Sequence, residues 1–105
     1  MARRIVWSSE ALNDVDAIAQ YIARRSTANA AKVVKKILSI ASDLDRFPHL
    51  GIVVPDLNNP LIRQRSIFHY RLIYRVEISE IIILAVIHGR RSLRLFFDRI
   101  NGSEN

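Results

Sequence analysis

No cysteine occurs among the 105 residues, which removes disulfide staples, thiolate zinc sites and cysteine nucleophiles together. Glycine and proline are scarce, at three each. The glycines (Gly51, Gly89, Gly102) stand alone, so no glycine-rich phosphate loop exists. Long hydrophobic runs are also missing. The longest, Ile81 to Ile87, falls far short of the roughly 20 residues that a bilayer-spanning helix needs. The opening Met-Ala-Arg-Arg-Ile-Val-Trp is basic but lacks the apolar core and small-residue cleavage site of a secretory signal. These absences lead to the expectation of a soluble, cytoplasmic protein with no membrane partner. His49, His69 and His88 are the only histidines, and their spacing fits no metal-ligand signature. No metal and no cofactor is expected.

What is present is an ordinary globular composition, 50% hydrophobic and 25% charged, which excludes intrinsic disorder. A chain of this length buries roughly 65% of its unfolded surface. It is therefore read as a single domain over residues 1–105, with a candidate disordered tail from about residue 98. The net charge is +6, and thirteen of the sixteen basic residues are arginine. Lysine is confined to Lys32, Lys35 and Lys36. Between Leu57 and Val76 lie four arginines and no acidic residue. Arginine offers a planar fork of donors that matches phosphate and carboxylate, so the bias points to an anionic partner. Charge alone does not choose between nucleic acid and an acidic protein segment.

The hydrophobic pattern divides at the turn-rich stretch Pro48 to Pro60. Arg3 to Trp7 reads as a first strand. Ser8 and Ser9 then offer an N-cap hydroxyl, and Leu12, Val15, Ile18, Ala19 and Ile22 form one face of a helix over about residues 9 to 25. Ser26 or Thr27 opens a second helix, whose stripe is Ala30, Val33, Val34, Ile37, Leu38, Ala41 and Leu44. It stops at Phe47-Pro48, because proline disfavours helical backbone in the residue before it. The three lysines lie off the stripe and read as a solvated face. From Leu61 the period shortens to that of strands: Leu61 to Ile67, Tyr70 to Glu77, and Ile81 to Ile87. The last is apolar on both faces, as in a central covered strand. Glu77 to Glu80 reads as a hairpin turn. Ser92 to Ile100 is a short helix or a loose tail, with Leu93, Phe96, Phe97 and Ile100 at helical spacing. The fold class is α+β, in the order β-α-α-β-β-β: a mainly antiparallel sheet with an αα-hairpin packed on it.

Catalytic motifs are sparse. Asp14 and Asp16, two apart on a helix, do not share a face, and no nucleophile elbow is present. The concentration of arginine stands out instead. Arg63, Arg65, Arg71 and Arg75 lie on two successive strands, and His88-Gly89-Arg90-Arg91 follows the third. If the strands are neighbours, these residues are expected to converge on one concave patch able to bind phosphodiester or carboxylate groups. The plainer reading pairs the arginines with Glu10, Asp14, Asp16 or Glu77 and spreads their stems over apolar surface.

The segment Val6-Trp7-Ser8-Ser9-Glu10-Ala11-Leu12, with Asp14 and Tyr21-Ile22, resembles the opening of the RelE/ParE superfamily of type II toxin–antitoxin toxins. So do Phe47-Pro48-His49-Leu50-Gly51, the run Tyr70-Arg71-Leu72-Ile73-Tyr74-Arg75-Val76, and Val86-Ile87-His88-Gly89-Arg90-Arg91. The resemblance runs from about Arg4 to Arg94, and its expected fold agrees with the one read from periodicity. It implies one of two activities. RelE-like members are ribosome-dependent mRNA endonucleases that use lysines, arginines and a C-terminal tyrosine. Here the strand of Arg63, Gln64 and Arg65 carries no lysine, and Phe97 stands where the tyrosine is expected. Were the chain such a nuclease, Arg71, Arg91, Tyr70 and His88 would be its candidate catalytic groups. ParE-like members, related to plasmid-stabilisation proteins, inhibit growth by binding DNA gyrase. The His-Gly-Arg-Arg ending is more similar to that branch. The resemblance also implies a cognate antitoxin, with Arg63, Arg65, Arg71, Arg75, Arg90 and Arg91 as the surface for target or antitoxin.

Overall fold

A computed structural model describes residues 3–55 and 57–93 of the chain. Ser8 starts the first helix, its Oγ accepting from the Ala11 amide at 3.0 Å, and Ser26 does the same for the second through the Asn29 amide. The elements are β1 (Arg4–Trp7), α1 (Ser9–Ala23), α2 (Thr27–Asp43), β2 (Ile52–Val53), β3 (Ile62–Ile67), β4 (Tyr70–Val76) and β5 (Glu80–His88). They form a five-stranded sheet in the order β1-β5-β4-β3-β2. Strand β1 runs parallel to β5, while the other pairings are antiparallel. The expected α+β architecture is present. It gains one short strand, β2, inside the stretch read as turn; two residues are too few to show a period.

The helix layer packs on one face of the sheet. Ala11, Ile37, Ile40, Ala41 and Leu44 meet Ile67, Leu72, Tyr74, Val76, Ile81, Ile83 and Val86 in the main core. Two helix positions depart from the expected stripes. Leu38 is 48% exposed and Ile40 is buried in its place, while Leu12 on α1 is 52% exposed. Helix α2 stops as a regular helix at Asp43, and the turn that follows carries the chain to Phe47, whose amide donates to the Asp43 carbonyl at 3.2 Å. Among the described residues the opposite sheet face is covered without a long helix. Val54 and Leu93 close over Ile62, Ile73, Leu84, Ala85 and Ile87. Of the segment expected as a terminal helix or tail, residues 94–100 lie outside the described residues, as does the candidate tail from about 98.

The β4–β5 pairing contains a register shift. Ile73 opposes Ala85 and Tyr74 opposes Ile83, which leaves Leu84 as an extra residue. Leu84 and Ala85 consequently both serve the face away from α1 and α2, and Val86 returns to the helix side. The bulge explains how an unbroken apolar run covers both faces. Beyond it β1 has ended, and α1 takes over the edge: the Ser8 hydroxyl donates to the Leu84 carbonyl and Asp14 Oδ2 accepts from the Val86 amide at 2.9 Å.

Candidate functional site

Strands β3 and β4 join through Phe68-His69, since Ile67 opposes Tyr70. Phe68 has a φ of 53°, so this two-residue hairpin has positive φ at its first central position, where glycine is preferred. A phenyl group stands there instead, 56% exposed. An even, two-residue loop then fixes which arginines share a face.

Arg63 opposes Tyr74 and Arg65 opposes Leu72, so both lie on the helix side of the sheet. Arg71 opposes Ser66 and Arg75 opposes Ile62, which puts these two on the other side. The expected convergence on a single patch is not what the fold produces. The sheet divides the arginines into two sets. Arg75 is further separated, because four residues along a strand from Arg71 is about 13 Å. It pairs with Glu77, the partner named by the plainer reading. Asp14 serves the Val86 amide, and Arg4 pairs with Glu80.

The turn end of the sheet gathers most of the remaining candidates, Arg71 on the face away from the helices and Tyr70 and His88 on the helix side. Arg71 reaches across β3 to Gln64 Oε1 at 3.0 Å, and its second Nη donates to the Arg91 carbonyl at 2.8 Å. The Arg91 amide in turn donates to the His88 carbonyl at 3.0 Å. Arg71 therefore anchors the His88-Gly89-Arg90-Arg91 turn. Gly89 lies close to the hairpin: its amide donates to the His69 carbonyl at 2.7 Å, and a Cβ would lie a tight 3.2 Å from that oxygen. His88 stacks on His69 with ring centroids 6.4 Å apart, and Tyr70 meets it edge-on at 5.8 Å. His88 Nδ1 accepts from the Arg90 amide, which leaves the ring proton on Nε2 in the neutral form.

The His69-Tyr70-His88 group forms the wall between two hollows. One, about 560 Å³, runs between α1 and the end of β5 beside Ala17, Ile18 and Tyr21. The other, about 290 Å³, lies among Ser66, Phe68, Arg71 and Arg90. Phe68 and His69 belong to no catalytic or binding motif in the sequence. Their signal was the spacing of two β-runs separated by two residues, the mark of a tight hairpin that presents both side chains at its tip. Among the described residues no group of three or more His, Asp or Glu side chains is placed to hold a metal ion. Phe97 lies outside the described residues.

The helix-side set is arranged around Tyr74. Its buried hydroxyl donates to the Pro48 carbonyl at 2.8 Å and accepts from the Gly51 amide at 2.9 Å. Arg63 Nη1 donates to the Gly51 carbonyl at 2.9 Å. Burial raises the Tyr74 pKa above its ordinary 10.0, opposed by the Gly51 hydrogen bond and by the positive charges of Arg63 and Arg65.

A family model described as the ParE toxin of the type II toxin–antitoxin system parDE matches residues 5–93. No curated protein matches the chain. The solved chromosomal ParDE toxin–antitoxin system from P. aeruginosa is 24% identical, covers 83% of this chain and 96% of that one, and superimposes with a TM-score of 0.69. The toxin–antitoxin complex RelBE2 from Mycobacterium tuberculosis is 20% identical, covers 84% and 99%, and gives 0.61. The YoeB dimer from Staphylococcus aureus is 26% identical, covers 84% and 98%, and gives 0.59. The two lower identities speak to the fold alone. The family match spans nearly the whole described chain, from the first strand to Leu93: this chain belongs to the ParE toxins of type II toxin–antitoxin systems, within the ParE/RelE superfamily.

Proposed function

We propose that the chain is a growth-inhibiting toxin that acts by binding its target, DNA gyrase, and is neutralised by a cognate antitoxin. One observation carries the choice of binding over catalysis. The β3 residues that share the Arg71 face are Ile62, Gln64 and Ser66, none of which titrates near neutrality. Arg71 itself is committed to Gln64 and to the Arg91 carbonyl. An arginine, with a pKa above about 12, is a poor proton acceptor. The turn end supports recognition instead: exposed Phe68, His69, His88 and Arg90 surround a shallow hollow, an aromatic and cationic mixture common at protein interfaces. In this reading Arg90, Arg91 and Phe68 contact the target, and Arg71 positions the turn that presents them.

The test is a supercoiling gel with purified gyrase and the antitoxin-free protein. Inhibition, or accumulation of cleaved DNA, is the expected result. No effect at a large molar excess of folded protein would overturn the assignment to gyrase. The rival reading, a ribosome-dependent mRNA endonuclease with an altered catalytic set, is favoured by the stacked His69 and His88 imidazoles beside Tyr70. It requires transcripts to be cut on ribosomes while growth stops; intact messages discard it.

A further inference from the structure

Between Ala17 and Ser42 the chain carries five cations and no carboxylate. Arg24 and Arg25 stand at the elbow that joins α1 to α2, and Lys32, Lys35 and Lys36 follow on α2. All the lysines of the protein are here. The five side chains are exposed, and among the described residues none forms an ion pair. The acids that precede them on α1 are engaged elsewhere: Asp16 accepts from Gln20 at 3.0 Å, and Asp14 Oδ2 from the Val86 amide. Asp43 ends α2, about 10 Å along the axis from Lys36. A face that only keeps a protein soluble mixes both signs. This one does not.

The geometry shows what kind of anion suits it. Asn29, Lys32 and Lys36 recur at i, i+3 and i+7, so they line one side of α2 over about 10 Å. That side runs into a hollow of about 540 Å³ among Tyr21, Ile22, Arg24, Arg25 and Asn29. Ala28, Ala31 and Ser39 beside the lysines are small and exposed, which leaves room for a rigid rod to lie against the helix. Leu38, an exposed apolar residue of α2, is turned about 120° from Lys32. Lysine is a point charge that meets a phosphate from any direction, whereas the fork that selects a carboxylate belongs to arginine. A single strand would need a stacking platform. Tyr21 is exposed at the elbow, but the Arg24 guanidinium already lies 5.9 Å from its ring centroid. The pattern suits backbone contact to a duplex, without reading of bases.

Tyr21 also lines the larger hollow, with His69, His88 and Arg91. The elbow is therefore continuous with the turn end that meets the target in the function proposed above. We infer that Arg24, Arg25, Lys32 and Lys36 form a sequence-independent site for the phosphate backbone of duplex DNA, so that the toxin holds gyrase and adjacent DNA together. The joint engagement rests on the gyrase reading, while the DNA site is tested without gyrase.

The experiment follows the anisotropy of fluorescein-labelled duplexes of about 30 base pairs, in two unrelated sequences, as the purified full chain is titrated in at about 50 to 200 mM salt. Four phosphate contacts predict equal affinity for both sequences and a loss of about 100-fold over that range. Lys32→Gln with Lys36→Gln should lower the salt slope by about two, and Lys32→Arg with Lys36→Arg should keep it. Neither lysine makes a hydrogen bond to a described residue, so both pairs should melt with the wild type. Arg4→Gln with Arg75→Gln removes the same charge from the opposite end of the sheet and should leave DNA binding within about twofold. An equal loss in that control would mean a diffuse field and overturn the inference. So would an absence of binding at the lowest salt. Duplex RNA or poly-glutamate held about 10-fold more tightly than DNA would make the occupant an RNA or an acidic protein, and also overturn it. The supercoiling gel separates the two readings. Inhibition without DNA binding overturns the elbow site alone, and DNA binding without inhibition overturns the gyrase reading and leaves the DNA site standing. Where both hold, the Lys32→Gln, Lys36→Gln chain should need about 10-fold more protein to inhibit; an unchanged requirement overturns the joint engagement.

Discussion

Tyr74 ties the chain together over long sequence distances, because its hydroxyl serves both Pro48 and Gly51. Tyr74→Phe leaves the buried Gly51 amide without its acceptor and should cost about 1–3 kcal/mol, read from the shift of a urea midpoint. The pH dependence follows from the raised pKa. The folded state holds the phenolic proton more tightly than the unfolded chain, so stability is fully present below 10.0 and falls as pH rises past it. Tyr74→Phe should flatten that alkaline decline. Gly51 is constrained from the same side: a Cβ there would lie 2.5 Å from the Gln64 carbonyl oxygen and 2.7 Å from the Tyr74 hydroxyl. Phe68 presents the opposite case. Its left-handed backbone costs about 1–2 kcal/mol in a residue with a side chain. Phe68→Gly should therefore raise the melting temperature. If the phenyl group contacts the target, the same variant should lose growth inhibition, which would mark the strain as retained for binding.

Among the elements, β5 shows how far the pattern could be read and where it stopped. A run of isoleucine, leucine and valine predicted a central strand covered on both faces, and β5 is that strand. The bulge at Leu84 left no trace in the sequence, because no glycine marks it and every residue near it is apolar. Strand β2 was illegible for another reason: its pairing with β3 is a tertiary contact, and two residues carry no period of their own. Leu38 joined the expected α2 stripe because it is apolar and lies one residue from Ile37; only the packing against the sheet decides that Ile40 is inside. Asp14 is a similar case. From sequence it was a candidate partner for an arginine, yet it also completes the edge of β5 where β1 ends. Asp14→Ala should cost about 1–2 kcal/mol, and Val86 amide exchange should accelerate more than that of Leu72 in the neighbouring strand. An unchanged Val86 rate would show that another group takes the Asp14 place.

Over the whole molecule, the arginine bias was legible but its geometry was not. Alternation places Arg63 with Arg65 and Arg71 with Arg75; it does not relate one pair to the other until the register across the hairpin is known. A two-residue turn at Phe68-His69 sets them on opposite faces, whereas one residue more would have united them. The functional consequence can be read with charge reversals spread over the molecule. Arg75→Glu removes a cation at the far end of β4 that already pairs with Glu77, so growth inhibition should be unchanged. Arg90→Glu acts at the turn end on an exposed side chain, so inhibition should be lost with the melting temperature held. Arg71→Glu should lose both, since its guanidinium bridges Gln64 and the Arg91 carbonyl and the reversed charge would release the turn. A protein that used its +6 charge only as a diffuse field would respond alike to all three reversals and recover with lowered salt. Unequal responses in the order given, with the Arg90→Glu defect persisting at low ionic strength, would place recognition in the short-range contacts of the β5 turn.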